Sequence, residues 1–151
     1  MTDRRSLEIV ISGQLLALSR EWRDCAGEAI AASGLSYATG WILVQAAEMG
    51  RDGHQVDIAR RAGIQSGTLV RLLDQLETAG LVTRERQACD RRSKKIILTE
   101  RGREIVGTVQ RELNQARARF FEALPDDELQ SAESFLLRLH KSGSTHEGRR
   151  V

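Results

Sequence analysis

The sequence predicts a mainly helical fold carrying one small β-hairpin. Three observations lead there: long apolar stripes at three- and four-residue spacing, a single proline at Pro125 in 151 residues, and one stretch of alternating polarity at 81–99. The first stripe is Leu7, Val10, Ile11, Leu15, Leu18, Trp22, Cys25, Ala29 and Ala32, on a helix from about residue 5 to Ser33-Gly34. Ser36 is a good N-cap for a second helix with Trp41, Ile42, Val44, Gln45 and Ala46, stopped by Gly50. A short third helix, Asp57 to Ala62, ends at Gly63. A fourth, Gly67 to Ala79, is capped by Ser66 and ends at Gly80, with Leu69, Leu72 or Leu73, and Leu76 on its core side. Leu81 to Arg86 and Lys94 to Thr99 flank a polar tip, Gln87 to Ser93, and form the hairpin. Ile105, Val109, Leu113, Ala116, Phe120 and Leu124 make the next stripe. Pro125 and three acids then open a last helix with Leu129, Ala132, Phe135, Leu136 and Leu139. Residues 142–151 are small, polar and charged, and are expected to be a disordered tail.

Composition bounds the class. Hydrophobic residues at 40% and charged residues at 29% fit a single globular domain, and two cysteines exclude a disulfide scaffold. No apolar run is long enough for a membrane span or a signal-peptide core, so the expected address is the cytoplasm. The net charge of +2 is uninformative until the chain is counted in pieces. Between residues 84 and 95, Arg84, Arg86, Arg91, Arg92, Lys94 and Lys95 face only Glu85 and Asp90, whereas between 104 and 140 acids outnumber arginines. The three histidines, His54, His140 and His146, are too scattered for a metal set or a triad, and no glycine-rich phosphate loop follows a strand. Catalysis, a metal and a cofactor are therefore not expected.

A helix, a tight turn, a second helix and a basic hairpin, in that order, suit duplex DNA. One helix enters the major groove while the cationic hairpin reaches the neighbouring minor groove. With the apolar side of the fourth helix turned inward, Gln65, Ser66, Thr68, Arg71 and Gln75 are the candidates for base edges and phosphates, and Gly67 admits close backbone approach. In the hairpin the candidates are Arg84, Arg86, Asp90, Arg91, Arg92 and Lys94. The plainer reading of Arg71 is a surface salt bridge to Asp74 or Asp57. The apolar stripes at the two ends, through Leu7, Val10, Ile11, Phe120, Leu129, Phe135, Leu136 and Leu139, suit a bundle shared between two copies. The expected layout is dimerisation helices at 1–34 and 103–141 around a DNA-binding lobe at 35–102.

Gly63-Ile64, Leu69 to Glu77, Gly80-Leu81-Val82, Asp90-Arg91-Arg92-Ser93-Lys94 and Leu98-Thr99-Glu100-Arg101-Gly102 resemble the MarR family, and among its members the SlyA branch. The resemblance implies a winged helix-turn-helix regulator that binds pseudo-palindromic promoter DNA as a homodimer and is associated with the nucleoid. It implies repression, with SlyA-like members also activating by displacing a silencing protein. It makes the fourth helix the recognition helix and gives Asp90 the role of orienting a wing arginine into the minor groove. Relatives often respond to small aromatic or phenolic anions. Trp22 and Trp41 could stack on such a ring, and Arg23 or Arg71 could pair its carboxylate. Two other readings stay open. Cys89, among arginines, could be a redox-sensitive thiolate, while Cys25 lies on a stripe that packing buries. The chain could also be a helical protein-interaction module whose hairpin meets an acidic partner.

Among wing substitutions, Arg92→Ala is expected to weaken duplex binding most. Equal binding by mutant and wild type across a salt titration would remove the wing from the mechanism.

Overall fold

The computed structural model describes residues 3–50, 53–87 and 90–147, with side chains described outside 86–93 and 143–147. Among the described residues the elements are α1 (Arg4–Ala31), α2 (Tyr37–Met49), α3 (Gln55–Ala62), α4 (Ser66–Thr78), β1 (Val82–Gln87), β2 (Asp90–Leu98), α5 (Glu100–Phe120) and α6 (Asp126–Glu147). The chain divides into two compact units, Met1–Arg117 and Ala118–Val151.

Local chemistry explains the element ends. The Ser36 side chain accepts the Thr39 N–H at 3.2 Å and caps α2. Gly63 and Gly80, both at positive φ, close α3 and α4 with paired backbone bonds: Gly63 to Arg60 and Ile64 to Ala59, then Gly80 to Glu77 and Leu81 to Leu76. Ser66 is the first residue of α4, and the N-cap is Gln65, which makes no side-chain capping hydrogen bond, so the cap lies one residue before the sequence expectation. α3 begins two residues earlier than expected. There the chain bridges to the hairpin, with Ile96 N–H donating to the Gly53 carbonyl at 3.0 Å.

The larger core of the first unit joins α2, α3, α4, the base of the hairpin and α5 through Ile42, Leu43, Ile58, Leu69, Leu73, Leu76, Leu81, Val82, Ile96 and Val106. A smaller one joins α1, α2 and α5 through Ala26, Ala29, Ile30, Val44, Val109, Leu113 and Ala116. Cys25 is only half-buried, packed against the edge of this cluster beside Trp22 rather than inside it. The hairpin is antiparallel, with Val82 opposite Leu98, Arg84 opposite Ile96, and a register irregularity at Arg86/Gln87. β2 begins at Asp90 rather than Lys94, so much of the expected polar tip is strand. In the second unit α6 continues to Glu147, so residues 142–147 are helical where a tail was expected. Extending a formed helix adds one hydrogen bond per residue, and Ser142 Oγ also donates to the Leu139 carbonyl at 2.8 Å.

The tightest approach in the first unit is at Gly102, where a Cβ would lie 2.0 Å from the Leu81 carbonyl oxygen. Thr99 fastens the same place: its Oγ1 donates to the Gly80 carbonyl at 2.7 Å and accepts from Gly102 N–H at 3.0 Å, and its N–H donates to the Leu81 carbonyl at 3.1 Å. Gly67 has open space around its missing Cβ. The two glycines should therefore respond oppositely to alanine. Gly102→Ala is expected to cost about 1–3 kcal/mol through forced backbone movement, and Gly67→Ala to stabilise by about 0.5–1 kcal/mol through helix propensity. Thermal unfolding of both variants checks the signs.

Candidate nucleic-acid interface

The α4 helix presents two sides. Leu69, Leu73 and Leu76 are buried, with Leu72 half-buried beside them, while Gln65, Ser66, Gly67, Thr68, Arg71 and Gln75 are exposed. Thr68, Arg71 and Gln75 share one face by helical spacing. Neither acid weighed as a partner for Arg71 takes it, because Asp74 pairs with Arg84 and Asp57 with Arg60 at 3.3 Å. Gln75 also borders a small cleft with Gly34, Ser36 and Thr39 at the start of α2. Backbone N–H groups in the first turn of α4 add a site favourable to a phosphate.

The hairpin residues divide. Arg84 does not face outward with the rest. Its side chain is 13% exposed, and its guanidinium reaches Asp74 Oδ1 at 2.5 Å, the Val70 carbonyl at 3.2 Å and Glu77 Oε2 at 3.6 Å. The reason is strand alternation, which turns Arg84 inward opposite the fully buried Ile96. The sequence carries a signal for this, acids on α4 at 74 and 77 beside an inward hairpin position. Lys94 is half-buried near the outer part of β2. The backbones of Arg86, Asp90, Arg91 and Arg92 lie in the two strands. Their side chains and Cys89 lie outside the described residues.

Of the residues expected to hold an aromatic anion, Trp22, Arg23 and Trp41 take part in two ring contacts with arginines and one ring stack. Arg23 is placed over the Tyr37 ring at 5.8 Å, Tyr37 stacks on Trp41 with ring centroids 6.3 Å apart, and Arg117 is placed over Trp22 at 5.9 Å. Arg71, on α4, belongs to none of these contacts. Tyr37 was missed by the sequence reading, although it stands one helical turn before Trp41. A cavity of about 880 Å³ opens between the end of α2, the hairpin and α5, with Gly50, Glu85, Lys95, Leu98, Arg103 and Gln110 among its lining.

Among the described residues no group of three metal-ligating side chains comes together, and no helix is long and apolar enough to cross a membrane. The architecture is that of a winged helix-turn-helix, with α3 and α4 as the paired helices and β1–β2 as the wing. Residues 33–93 match the model of the MarR family. The transcriptional regulator PA3341 is 31% identical, with a TM-score of 0.80 over 88% of this chain and 98% of that one. A MarR-family transcriptional regulator from Rhodococcus sp. RHA1 is 28% identical, with a TM-score of 0.79 over 88% and 94% of the two chains. CouR from Rhodococcus jostii RHA1, solved with p-coumaroyl-CoA, is 29% identical, with a TM-score of 0.77 over 85% and 90%. The chain belongs to the MarR family of winged-helix transcriptional regulators, which are DNA-binding proteins and not enzymes.

Replacing Arg71, an exposed cation on the face of α4 opposite its core, is expected to cost about 1–3 kcal/mol of operator binding. Replacing Gln75, at the edge of the α2 cleft, should cost less; titrating both alanine variants against one duplex checks the order.

Proposed function

We propose that this chain represses transcription by binding pseudo-palindromic promoter DNA as a homodimer, with Gln65, Ser66, Thr68 and Arg71 in the major groove and the wing in the adjacent minor groove. The observation that carries the reading is that the outward face of α4, fixed by its buried leucines, shares a helix with the anchor of a basic hairpin. In this reading the lobe is residues 35–102, Arg86, Arg91, Arg92 and Lys94 are the wing cations, Asp90 orients one of them, and the protein works on the nucleoid in the cytoplasm. Repression follows from occlusion of the promoter; activation by displacing a silencer, as in the SlyA branch, is the opposite sign of the same binding.

The dimer rests on apolar surface that a single chain leaves exposed. Leu7 is 48% exposed, with Val10, Ile11, Leu15 and Leu18 exposed along the same stripe of α1, and on α6 Phe135, Leu136 and Leu139 are exposed as well. A second copy of the chain buries these residues, with Phe120 and Leu129, in a shared bundle. Two recognition helices held about 34–36 Å apart then read half-sites one turn apart.

The effector in this reading is an aromatic carboxylate or its thioester, the class that CouR holds. The cavity beside α5 is within the usual range for small-molecule sites, about 300–1,000 Å³, and Lys95 and Arg103 are on its wall. An effector acts only through the difference in its affinity for the DNA-competent and incompetent arrangements.

Selection from random duplexes at two salt concentrations tests the regulator. The expected result is an enriched pseudo-palindrome, with log affinity falling by about 0.9 per neutralised phosphate for each unit of log salt. No enriched sequence, with weak binding that vanishes as salt rises, would shift belief to the protein-interaction module. With the operator in hand, p-coumaroyl-CoA and p-coumarate are expected to weaken binding, and Lys95→Ala with Arg103→Ala to abolish that response. Peroxide should leave operator binding intact; a loss that depends on Cys89 would favour the redox reading.

A further inference from the structure

The wing cations do not all serve the same purpose, and Arg84 is the one the fold uses internally. We infer that Arg84 is a positioning residue that sets the lean of the wing against the recognition helix, so that the outer wing meets the minor groove at a fixed offset from α4. This rests on the DNA-binding reading above and adds to it an assignment of how that binding is aligned.

Arg84 occupies an inward position of β1 where alternation calls for an apolar residue, between Val82 at the core and the outer strand. Two acceptors on α4, the Val70 carbonyl and Asp74 Oδ1, receive hydrogen bonds from its Nη2, and Glu77 Oε2 forms a longer ion pair with its Nε. Positions 70, 74 and 77 recur at four and three residues, so they form a ladder along one face of α4, well around the helix from Thr68 and Arg71. Nε of Arg84 is buried and makes no hydrogen bond, leaving the group held by its Nη2 contacts and the longer pairing to Glu77. A guanidinium is rigid and planar, so acceptors at both ends of the ladder fix its orientation as well as its distance.

The position along the hairpin matters as much as the contacts. The base is already anchored by Val82 and Ile96 in the core and by the Gly53 carbonyl bond to Ile96. Beyond Arg84, β1 runs three more residues to Gln87, about 10 Å of strand. Tilting that length by about 10° about Arg84 displaces its end by about 2 Å, enough to break a hydrogen bond to a groove edge. Asp74 and Glu77 are themselves partly exposed, and their charges oppose DNA, so their retention beside a DNA-facing surface is explained by the anchor they provide.

The sign of one substitution separates this from simple electrostatics. Asp74→Asn removes a negative charge close to the duplex. Charge alone predicts tighter binding to any DNA, whereas the positioning role predicts weaker binding to the operator. The experiment measures wild type, Arg84→Met, Asp74→Asn, Arg92→Ala and the Arg84→Met/Arg92→Ala pair on the selected operator and on random duplex, with thermal unfolding alongside. The expected result is a loss of operator affinity of about tenfold for Arg84→Met and about threefold for Asp74→Asn, with random-duplex affinity changed by less than about threefold. Arg92→Ala should add little in the Arg84→Met background, because a wing without its anchor no longer places Arg92. Three outcomes overturn the inference: tighter operator binding by Asp74→Asn, full additivity of Arg84→Met with Arg92→Ala, or equal losses on operator and random duplex. The last, with a salt slope reduced by about one, would make Arg84 a phosphate contact. Asp74→Asn decides the matter even where Arg84→Met unfolds. Absence of any sequence preference in the wild type would instead overturn the DNA-binding reading itself.

Discussion

Three elements meet within a few residues where α4 ends, and their meeting is possible because residue 102 has no side chain. The Leu81 carbonyl occupies the space a Cβ would need, and Thr99 closes the junction with hydrogen bonds to both sides. Gly80 at positive φ turns the chain out of α4, Leu81 enters the core, β1 begins at Val82, and α5 starts against the same carbonyl. α4, the wing and α5 are thereby fixed to one point. Protein interiors close-packed in this way transmit displacement and do not absorb it, so a shift of α5 reaches the end of α4 directly. The cavity beside α5 and the hairpin lies next to this junction, with Leu98 and Arg103, the sequence neighbours of Thr99 and Gly102, in its lining.

Charge in this protein is divided between internal and external work. Arg84 and Lys94 are similar in sequence context, yet one is nearly buried against two acids and a carbonyl while the other stands half-buried on the opposite strand. A partly buried ion pair repays desolvation only when its geometry is satisfied by further hydrogen bonds, and the Val70 carbonyl supplies one. On α4 the same division appears around the helix: acids on the wing side, Thr68, Arg71 and Gln75 on another, leucines on the third.

The long terminal helices obey a different constraint. α1 buries only Ala26, Ala29 and Ile30 of its 28 residues within the chain. A helix exposing so many large apolar side chains is stable only when something covers them. The stability of α1 therefore depends on what covers this surface, in contrast to the α3–α4 region, whose leucines are satisfied internally.

The elements themselves were legible in the sequence because their signals are local. Glycine at helix ends, Ser36 before α2, apolar spacing and the alternating polarity of the hairpin act over a few residues, and each produced the element expected. The exposed face of α4 followed for the same reason, since placing Leu69, Leu73 and Leu76 inward leaves Thr68 and Arg71 outward. The misses share a different physics. Whether Arg84 points to solvent or to Asp74 depends on which strand face packs against α4, and whether Cys25 is covered depends on where α1 meets its neighbours. Sequence gives residue types such as Trp22, Trp41 and Arg71 without their directions, and a cavity exists only where helices and strands distant in sequence leave space. Sequence by itself determined the class of fold and the outward face of α4. Tertiary structure decided which cation anchors the wing and where a small molecule has room, because both depend on long-range packing.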